Sequence, residues 1–246
     1  MTVAFITHGC CRDHKMGAHH PECPERLDAI QDRLIAAGLD ILLRYYDAPP
    51  ATLEQLLRVH DSDFIEGLAA RVPERDDTLS WVDGDTAMNS HTWTAALHAA
   101  GASVKGVDLV LGGEHHAAFC CTRPPGHHAE RCRAMGFCFL NNVAVGSAHA
   151  LEAHGLTRIA IVDFDVHHGN GTEDIFQNDE RVLFCSSFQH PYSPGTGAGS
   201  SAANVVNVPL PARTGGQQFR DAVAQKWLPR IDAFRPQLIM ISAGFD

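Results

Sequence analysis

The chain has 246 residues, 45% of them hydrophobic, and a formal net charge of -10 at pH 7. A chain of this size can bury one substantial core, so we expect a single domain over residues 1–246. The acidic balance argues against nucleic acid or an anionic membrane as a partner, because both bind clustered lysine and arginine. The sequence shows neither a membrane-span pattern nor a signal-peptide pattern, so a cytoplasmic protein is expected.

Cysteine and histidine stand out in the composition, with 8 and 16 copies. The cysteines have no paired C-x-x-C spacing, so in a reducing compartment we expect free thiols rather than disulfides. A lone histidine on a helix, such as His98 or His149, is more often structural than a ligand. Only the clustered histidines are therefore candidates for a site.

The N-terminal half of the chain alternates between strand and helix patterns. A β-branched and aromatic run predicts a strand at residues 3–7, and a polar, histidine-bearing loop follows it. A helix is then predicted at residues 25–37, where Gly38 ends it. Further helical patterns occur at residues 53–59, 64–71 and 91–110. Ser90 can cap the last of these, and residues 83–86 have the composition of a turn.

The C-terminal half continues the alternation. Strand patterns occur at residues 116–121, 182–187, 205–208 and 237–242, besides a central stretch at 159–170. Helical patterns occur at residues 141–154 and 217–234. Strand, helix and strand in this order imply right-handed parallel crossovers, so the sequence predicts an α/β fold with a mostly parallel sheet. Ligands of such sheets gather at the carboxyl ends of the strands.

The central stretch is an apolar run that turns into alternating acids and histidines. Because successive side chains of a strand point to opposite faces, three metal-binding side chains should share one face, namely Asp163, Asp165 and His167. Phe164 and Val166 should pack on the other face. The alternative is a solvated strand end, but burying unpaired carboxylates is costly unless a cation or hydrogen bonds compensate.

A catalytic zinc site needs three nitrogen or oxygen ligands and one open position for water. Asp165 and His167 supply two ligands, and we expect Asp246, at the end of a neighbouring strand, to supply the third. The alternative for Asp246 is an aspartate that caps a helix or a turn. Two carboxylates and a neutral imidazole would cancel the charge of the zinc ion, so its bound water would be less acidified than in an all-histidine site. A separate general base would therefore be useful.

His127 and His128 are the candidates for that base. They follow an irregular Pro-Pro-Gly turn, and an imidazole can take a proton from water and return it to a leaving amine. If Asp163 orients His127 and Asn170 orients His128, then His128 is the better base and His127 the better electrostatic support. The alternative is a surface turn that binds no metal.

Five motifs follow one another along the chain. They are Arg-Pro-Pro-Gly-His-His at 123–128, Gly-Phe-Cys-Phe-Leu-Asn-Asn at 136–142, Asp-Phe-Asp-Val-His-His-Gly-Asn at 163–170, Pro-Gly-Thr-Gly at 194–197 and Ser-Ala-Gly-Phe-Asp at 242–246. In this order they resemble the zinc-dependent histone deacetylase family of the arginase/deacetylase superfamily, especially its class II-like bacterial amidohydrolases. The resemblance implies a three-layer αβα domain with a central, mostly parallel sheet.

The resemblance also implies a zinc-dependent amide hydrolase that removes acetyl or related acyl groups from acyl-lysine peptides, acylated polyamines or small amines. It implies the residues already named for each role. The zinc ligands are Asp165, His167 and Asp246, the histidine pair is His127 and His128, and the partners of that pair are Asp163 and Asn170. It adds a potassium ion beside the zinc, held by Asp163, Asp165, His167, Ser186 and Ser187. A second monovalent-cation site is implied around Phe176, Asp179 and Val182.

Further residues are implied at the mouth of the site. Gly136 and Phe137 would line the acyl-lysine tunnel, and Asp85 would hold the substrate backbone. The loop at residues 8–26 resembles the family's first rim loop. Without the resemblance, its histidines and one cysteine would suggest another zinc site, at His14, His19, His20 and Cys23. Where many members carry an aromatic residue before Pro-Gly-Thr-Gly, this chain has Ser193, and Tyr192 is the candidate substrate contact one place earlier.

In the family, a transition-state tyrosine or histidine lies after the Gly-Phe-Asp motif, where this sequence ends. We therefore expect a domain truncated at its C-terminal end. A longer gene product with a completing C-terminal segment, a second chain that completes the fold, and a homo-oligomer all stay open. Loss of such an oxyanion donor costs about a hundred- to a thousand-fold in rate. Two other functions remain: a catalytically impaired acyl-lysine-binding pseudoenzyme and a two-manganese ureohydrolase. A two-manganese site would need a further carboxylate at the position where this chain has Asn170.

Overall fold

The computed structural model describes residues 2–244. It divides into two compact units, Met1–Ala150 and Leu151–Asp246, and the expectation of a single domain stays a prediction. Asp246, the expected third zinc ligand, lies outside the described residues. All eight cysteines lie inside them and are free thiols, as expected. None of the described helices combines the length and apolar character that a bilayer crossing requires.

The first unit alternates strands and helices much as the sequence predicts. Its strands are β1 Val3–Thr7, β2 Leu43–Asp47, β3 Ser80–Trp81, β4 Ala87–Met88 and β5 Ala118–Cys120. Its helices are α1 Glu25–Ala36, α2 Leu53–Leu57, α3 Ser62–Ala69, α4 Thr92–Leu111 and α5 Asn142–Glu152, which runs on into the second unit. Short 3-10 turns lie at Gly9–Arg12 and Asp40–Leu42.

Within the described residues of this unit, β2, β1 and β5 form a parallel sheet in that order. Alternate residues of β1 face opposite sides, because the side-chain period of a strand is two. Ala4 and Ile6 pack with Ala102 and Leu109 of α4, whereas Phe5 packs with apolar side chains from α1. The sheet is therefore covered on both faces.

Two local predictions in this unit are wrong. β2 was not among the predicted elements, because only Leu43 of its five residues is buried and the apolar signal is weak. The strand forms through parallel pairing with β1, from Val3 opposite Leu43 to Thr7 opposite Asp47. Ser90 does not cap α4, because its hydroxyl donates to Asp76 and the N-cap residue is His91.

The second unit has a parallel sheet in the order β8-β7-β6-β9 among its described residues. The strands are β6 Ile159–Asp163, β7 Val182–Gln189, β8 Val205–Leu210 and β9 Leu238–Ser242. The helices are α6 Asn170–Phe176, α7 Gly216–Ala222 and α8 Leu228–Phe234. A π-helical turn, Val223–Trp227, joins the last two, so the helix predicted at 217–234 is interrupted.

The core of the second unit lies between its sheet and the segment from α7 to α8. Ala160, Leu183 and Cys185 of the strands pack with Trp227 and with apolar side chains of α7 and α8. On the opposite face of the strands, Ile161 and Phe184 are fully buried. Burial on both faces explains why the strands read as continuous apolar runs, and it sets their polar carboxyl ends apart as the place for chemistry.

Candidate active site

The central strand ends earlier than the alternating pattern suggests. β6 stops at Asp163, so Asp165 and His167 lie in the loop beyond it. Asp163 and Asp165 are nevertheless buried, whereas Phe164 and Val166 are each 36% exposed. The predicted alternation of faces is therefore confirmed, but the prediction that Phe164 and Val166 are packed away is wrong.

Two hydrogen bonds from the backbone to side chains shape this loop. The amide of Asp165 donates to Asp163 Oδ1 at 3.1 Å, and the amide of His167 donates to Asp165 Oδ1 at 2.7 Å. Each aspartate thus accepts the N–H two residues further on, which is an Asx turn. These turns replace the ladder hydrogen bonds of a strand and hold both carboxylates against the main chain.

Two glycines leave the space that these carboxylates occupy. A Cβ on Gly169 would overlap Asp163 Oδ2, and a Cβ on Gly244 would overlap Asp165 Oδ2. Gly169 has a φ of -75°, which any residue can adopt, so space is what requires glycine there. Gly244 also shows that the chain of the second unit passes close to the Asp165 carboxylate at this residue.

Asp165 and His167 fit two positions of a zinc site. Asp165 Oδ1 and His167 Nδ1 lie 3.2 Å apart. Zinc bonds of about 2.0–2.2 Å in a tetrahedron place neighbouring ligand atoms about 3.3–3.6 Å apart, slightly more than the observed separation. One carboxylate oxygen and one imidazole nitrogen are also the donor types of catalytic zinc. The third expected ligand, Asp246, falls outside the described residues, so its role stays a prediction.

The histidine pair lies in the first unit. His127 and His128 are buried, and their ring centroids are 4.0 Å apart. Gly136 packs against His128: its φ is +55°, and a Cβ there would come within 2.5 Å of His128 Cδ2. Both the backbone conformation and the space therefore require glycine. The pairings of His127 with Asp163 and of His128 with Asn170 remain predictions.

A buried ion pair supports the turn that carries the two histidines. Arg123, the first residue of that motif, pairs with Glu22, and both side chains are 3% exposed. Arg123 also donates to the carbonyl oxygen of Cys11 at 2.7 Å. His14 is fully buried, hydrogen-bonds Thr92 Oγ1 at 2.8 Å and faces Glu22 at 3.4 Å, so it is an interior residue rather than part of a loop zinc site.

The pKa of Glu22 reflects this environment. Burial raises it, but the hydrogen bonds from His14 and Arg123 outweigh burial, and the net effect is a lowered pKa. The carboxylate thus stays charged and anchors the rim loop to the histidine motif. Sequence reasoning missed this role of Glu22, although an acid in a loop otherwise rich in histidine was a usable signal.

Several predicted rim residues lie together in the first unit. His20 donates from Nε2 to the backbone oxygen of Asp85 at 3.0 Å, and its ring meets Phe137 edge-on at 4.5 Å. The amide of Phe137 donates to Thr86 Oγ1 at 3.0 Å, and Phe137 has a φ of +67°. Burial and a hydrogen bond with Asp83 raise the pKa of Asp85. The geometry therefore brings Asp85 and Phe137 to one rim.

Tyr192 contacts the metal-binding loop directly. Its ring stacks on the ring of His167 with a centroid distance of 5.0 Å, and the side chain is 48% exposed. The amide of Gly195 donates to the Tyr192 carbonyl at 2.8 Å and closes a turn. The candidate substrate contact thus forms a half-open wall beside His167, a predicted zinc ligand.

A hydrogen-bond network that sequence reasoning missed holds this wall in place. His168, which is 2% exposed, bonds Thr196 Oγ1 at 2.8 Å through Nδ1 and Glu173 Oε2 at 2.9 Å through Nε2. The side-chain nitrogen Nδ2 of Asn207 donates to the same Glu173 oxygen at 2.6 Å and to the backbone carbonyl of Gly197 at 2.9 Å. His168, the residue after the predicted zinc ligand His167, is therefore tied to the Pro-Gly-Thr-Gly segment.

The expected potassium residues lie on neighbouring strands of the second unit. Asp163 stands in register with Ser186 in the β6–β7 pairing, and both are fully buried, as Ser187 nearly is. The hydroxyl of Ser186 has no hydrogen-bond partner among the described residues. A buried hydroxyl oxygen of this kind needs a partner, and a monovalent cation beside Asp163 would supply one.

The second implied cation site does not fit. Asn204 Nδ2 lies 2.7 Å from the carbonyl oxygen of Phe176, 3.0 Å from that of Asp179 and 2.9 Å from that of Val182. The position between these oxygens is thus taken by a side-chain nitrogen.

Comparisons with known proteins agree with this geometry. A family model described as "Histone deacetylase domain" matches residues 20–246. A probable deacetylase of Archaeoglobus fulgidus is 37% identical over 100% of this chain and 69% of its own length. A histone deacetylase-like amidohydrolase of Pseudomonas aeruginosa is 36% identical over 93% of this chain and 61% of its own length.

Among solved structures, the HDA15 HD domain superposes with a TM-score of 0.90 at 34% identity, covering all of this chain and 74% of that one. The parallel sheets with flanking helices thus correspond to the αβα fold of the arginase/deacetylase type. From its fold and its sequence together, the chain belongs to the histone deacetylase family and is an enzyme of the histone deacetylase-like amidohydrolase type.

Proposed function

We propose that the protein removes acetyl or related acyl groups from acylated amines by zinc-dependent hydrolysis. The observation that carries the proposal is the donor pair of Asp165 and His167, 3.2 Å apart at the carboxyl end of a buried parallel strand. The substrate class is an acyl-lysine peptide or an acylated polyamine. A mono-acylated polyamine keeps its other amines protonated and cationic, which suits a chain with a net charge of -10, whereas the acyl-lysine side chain itself is neutral.

Zinc held by Asp165, His167 and Asp246 would polarise the acyl carbonyl and lower the pKa of a bound water. In the proposed reaction, the imidazole of His128 accepts the proton of the attacking water and then gives it to the leaving amine nitrogen. His127, the proposed partner of Asp163, would stabilise the negative charge that develops on the carbonyl oxygen. Gly136 supports this assignment, because its missing side chain is what lets the His128 ring lie where it does.

A potassium ion held by Asp163, Asp165, His167, Ser186 and Ser187 completes the proposed site. Its support is the buried, unpartnered hydroxyl of Ser186 next to Asp163. A fixed positive charge at this place would balance the negative charge of the buried Asp163 carboxylate, because a buried charge is costly unless it is paired.

At the rim, Asp85 would hold the substrate backbone and Phe137 would line the path of the acyl chain. The contact of His20 with both residues supports this assignment. The exposed face of Tyr192 would form a wall beside His167. A rim that contacts the peptide backbone favours acyl-lysine, whereas a rim that contacts an extended cation favours a polyamine.

The test uses the full-length gene product loaded with zinc. Turnover is measured with an acetyl-lysine peptide and with an N-acetylated polyamine, beside the variants His128→Ala and Asp165→Asn. We expect turnover in the wild type and a loss of at least about a hundred-fold in each variant. One bound zinc and peptide binding without turnover would establish a binding protein instead. Two bound manganese ions would establish a ureohydrolase-type centre.

A further inference from the structure

Three backbone carbonyl groups of the second unit converge on one side-chain nitrogen. They belong to Phe176 at the end of α6, to Asp179 in the following turn, and to Val182 at the start of β7; we call them the carbonyl cluster. All three oxygens lie within 3.0 Å of Asn204 Nδ2, at 2.7, 3.0 and 2.9 Å. The nitrogen must face them, because the amide oxygen would be repelled by three other oxygens.

The side-chain amide of Asn204 has fewer N–H donors than there are carbonyl acceptors around it. A side-chain NH2 has two N–H donors, whereas three acceptors surround it at hydrogen-bond distance. Such a ring of convergent carbonyl oxygens is the arrangement that replaces the hydration shell of a monovalent cation such as K+. The environment that Asn204 occupies therefore has the character of a cation site.

The surroundings of the cluster hold Asn204 in place. Its own carbonyl accepts the amide of Phe184 at 2.9 Å, so its backbone is fixed beside β7 just before β8 begins. The carboxylate of Asp179 is paired with Arg181 at 2.8 Å and does not add its charge to the cluster. The carbonyls of Phe176 and Asp179 also close the turn, through the amides of Asp179 and Val182.

We propose that the Asn204 amide is a built-in replacement for a monovalent cation. It joins the end of α6 and the starts of β7 and β8 by hydrogen bonds instead of by ion coordination. This part of the second unit is therefore independent of potassium. The proposal concerns the carbonyl cluster only and does not depend on the proposed reaction.

Removing the amide should create a cation site. In Asn204→Ala the three oxygens lose the side-chain donor at their centre, and we expect Tm in tetramethylammonium buffer to fall by about 3 to 10 °C. Potassium should restore most of that loss, and the variant should bind one Tl+, a K+ analogue, more than the wild type in equilibrium dialysis. Asn204→Asp, which has the same shape but no N–H, should respond to potassium still more strongly.

Asn207→Ala is the matched control. Asn207 lies on β8, three residues after Asn204, and also donates from its side chain. Its acceptors are Glu173 and Gly197 rather than the carbonyl cluster. We expect the Tm of this variant to fall, but potassium should not restore it. The variant should also bind no more Tl+ than the wild type.

The wild type alone also decides the question. In a crystal of the wild-type protein soaked with Tl+, we expect no anomalous scattering peak between the oxygens of Phe176, Asp179 and Val182. A peak there, or equal Tl+ counts for wild type and Asn204→Ala, would overturn the proposal whatever the variants do.

Discussion

The ring of Tyr192 lies on the ring of His167, with 5.0 Å between the centroids and 15° between the planes. Through this contact, the segment that precedes Pro-Gly-Thr-Gly limits the positions open to the His167 ring, the proposed zinc ligand. The stack thus couples the wall of the proposed acyl site to the geometry of the proposed metal site.

Replacing Tyr192 separates these effects. We expect Tyr192→Phe to keep KM and kcat nearly unchanged, because the stacked ring remains. Tyr192→Ala should raise KM about 2- to 10-fold, since an aromatic pair contributes about 0.5–1.5 kcal/mol. Tyr45→Ala is the control, because Tyr45 packs on Phe5 with the same centroid distance of 5.0 Å but lies on β2. It should alter stability only, and an equal change in KM would contradict a role specific to Tyr192.

The buried pair of Arg123 and Glu22 should dominate the stability of the first unit. Removing one partner leaves a charge buried, so Glu22→Ala should lower the free energy of unfolding by about 3–5 kcal/mol. Asp28→Ala breaks the ion pair with Arg12, whose side chains are 39% and 58% exposed, and should cost about 0–1 kcal/mol. Urea unfolding of the two variants measures both values, and similar losses would refute the distinction.

Gly136 should be needed for more than its backbone conformation. Gly136→Ala places a methyl group against the His128 ring, and we expect kcat/KM to fall about a hundred-fold because the base is displaced. Gly38→Ala is the control: its φ is +66°, but nothing lies within 4 Å of the added carbon. That variant should lose roughly 1–2 kcal/mol of stability and no activity. Equal kinetics for both variants would mean that the His128 contact has no catalytic importance.

The network around Glu173 should keep the Tyr192 wall ordered. In Glu173→Gln, one acceptor oxygen must face two donors without a charge, and we expect a loss of about 1–3 kcal/mol. Amide hydrogen exchange in residues 192–200 should accelerate at the same time. Glu180→Gln, an exposed substitution nearby, should change neither quantity. Unchanged exchange in Glu173→Gln would show that the wall is held by other contacts.

His60 should make the first unit sensitive to acid. Its Nδ1 donates to the carbonyl of Glu130 and its Nε2 accepts the amide of Asn141, each at 3.0 Å, so the folded protein holds the neutral ring. Burial lowers the pKa of His60 from 6.5 to about 4. Between these values the unfolded chain binds more protons than the folded one, so stability falls as the pH falls through this window.

The expected loss from His60 is about 1.4 kcal/mol per pH unit, or roughly 3 kcal/mol over the window. Urea midpoints from pH 7 to pH 4 should therefore decline more steeply in the wild type than in His60→Gln, which cannot titrate there. His116→Gln, at an exposed position, is the control and should follow the wild type. Parallel curves for wild type and His60→Gln would refute the assignment.

Sequence patterns were reliable where a local signal set the structure. β1 was predicted at its observed bounds, and α1 within one residue, because apolar periodicity and Gly38 define them. β2 was missed, because its pairing with β1 is non-local and its side chains are mostly exposed. The strand at Asp163 ends early because Asx turns, which depend on side-chain acceptors, compete with the sheet.

The same division holds at the site. Asp165 and His167 could be predicted, because alternation along one short segment places both donors on one side. The network of His168, Glu173 and Asn207 could not, because its members are far apart in sequence and meet only through the packing of β7 and β8. Asn204 was missed for the same reason, since nothing near it in the sequence marks a side chain that meets three carbonyl groups.

The paired Asx turns after β6 have a use in protein engineering. Main-chain amides fix the odd-numbered side chains from Asp163 to His167, while the even-numbered ones, Phe164 and Val166, point partly to solvent. The segment therefore carries two sets of side chains, one fixed by the main chain and one partly exposed to solvent. A library that varies only Phe164 and Val166 would change the surface beside the proposed metal site and leave Asp163, Asp165 and His167 unaltered.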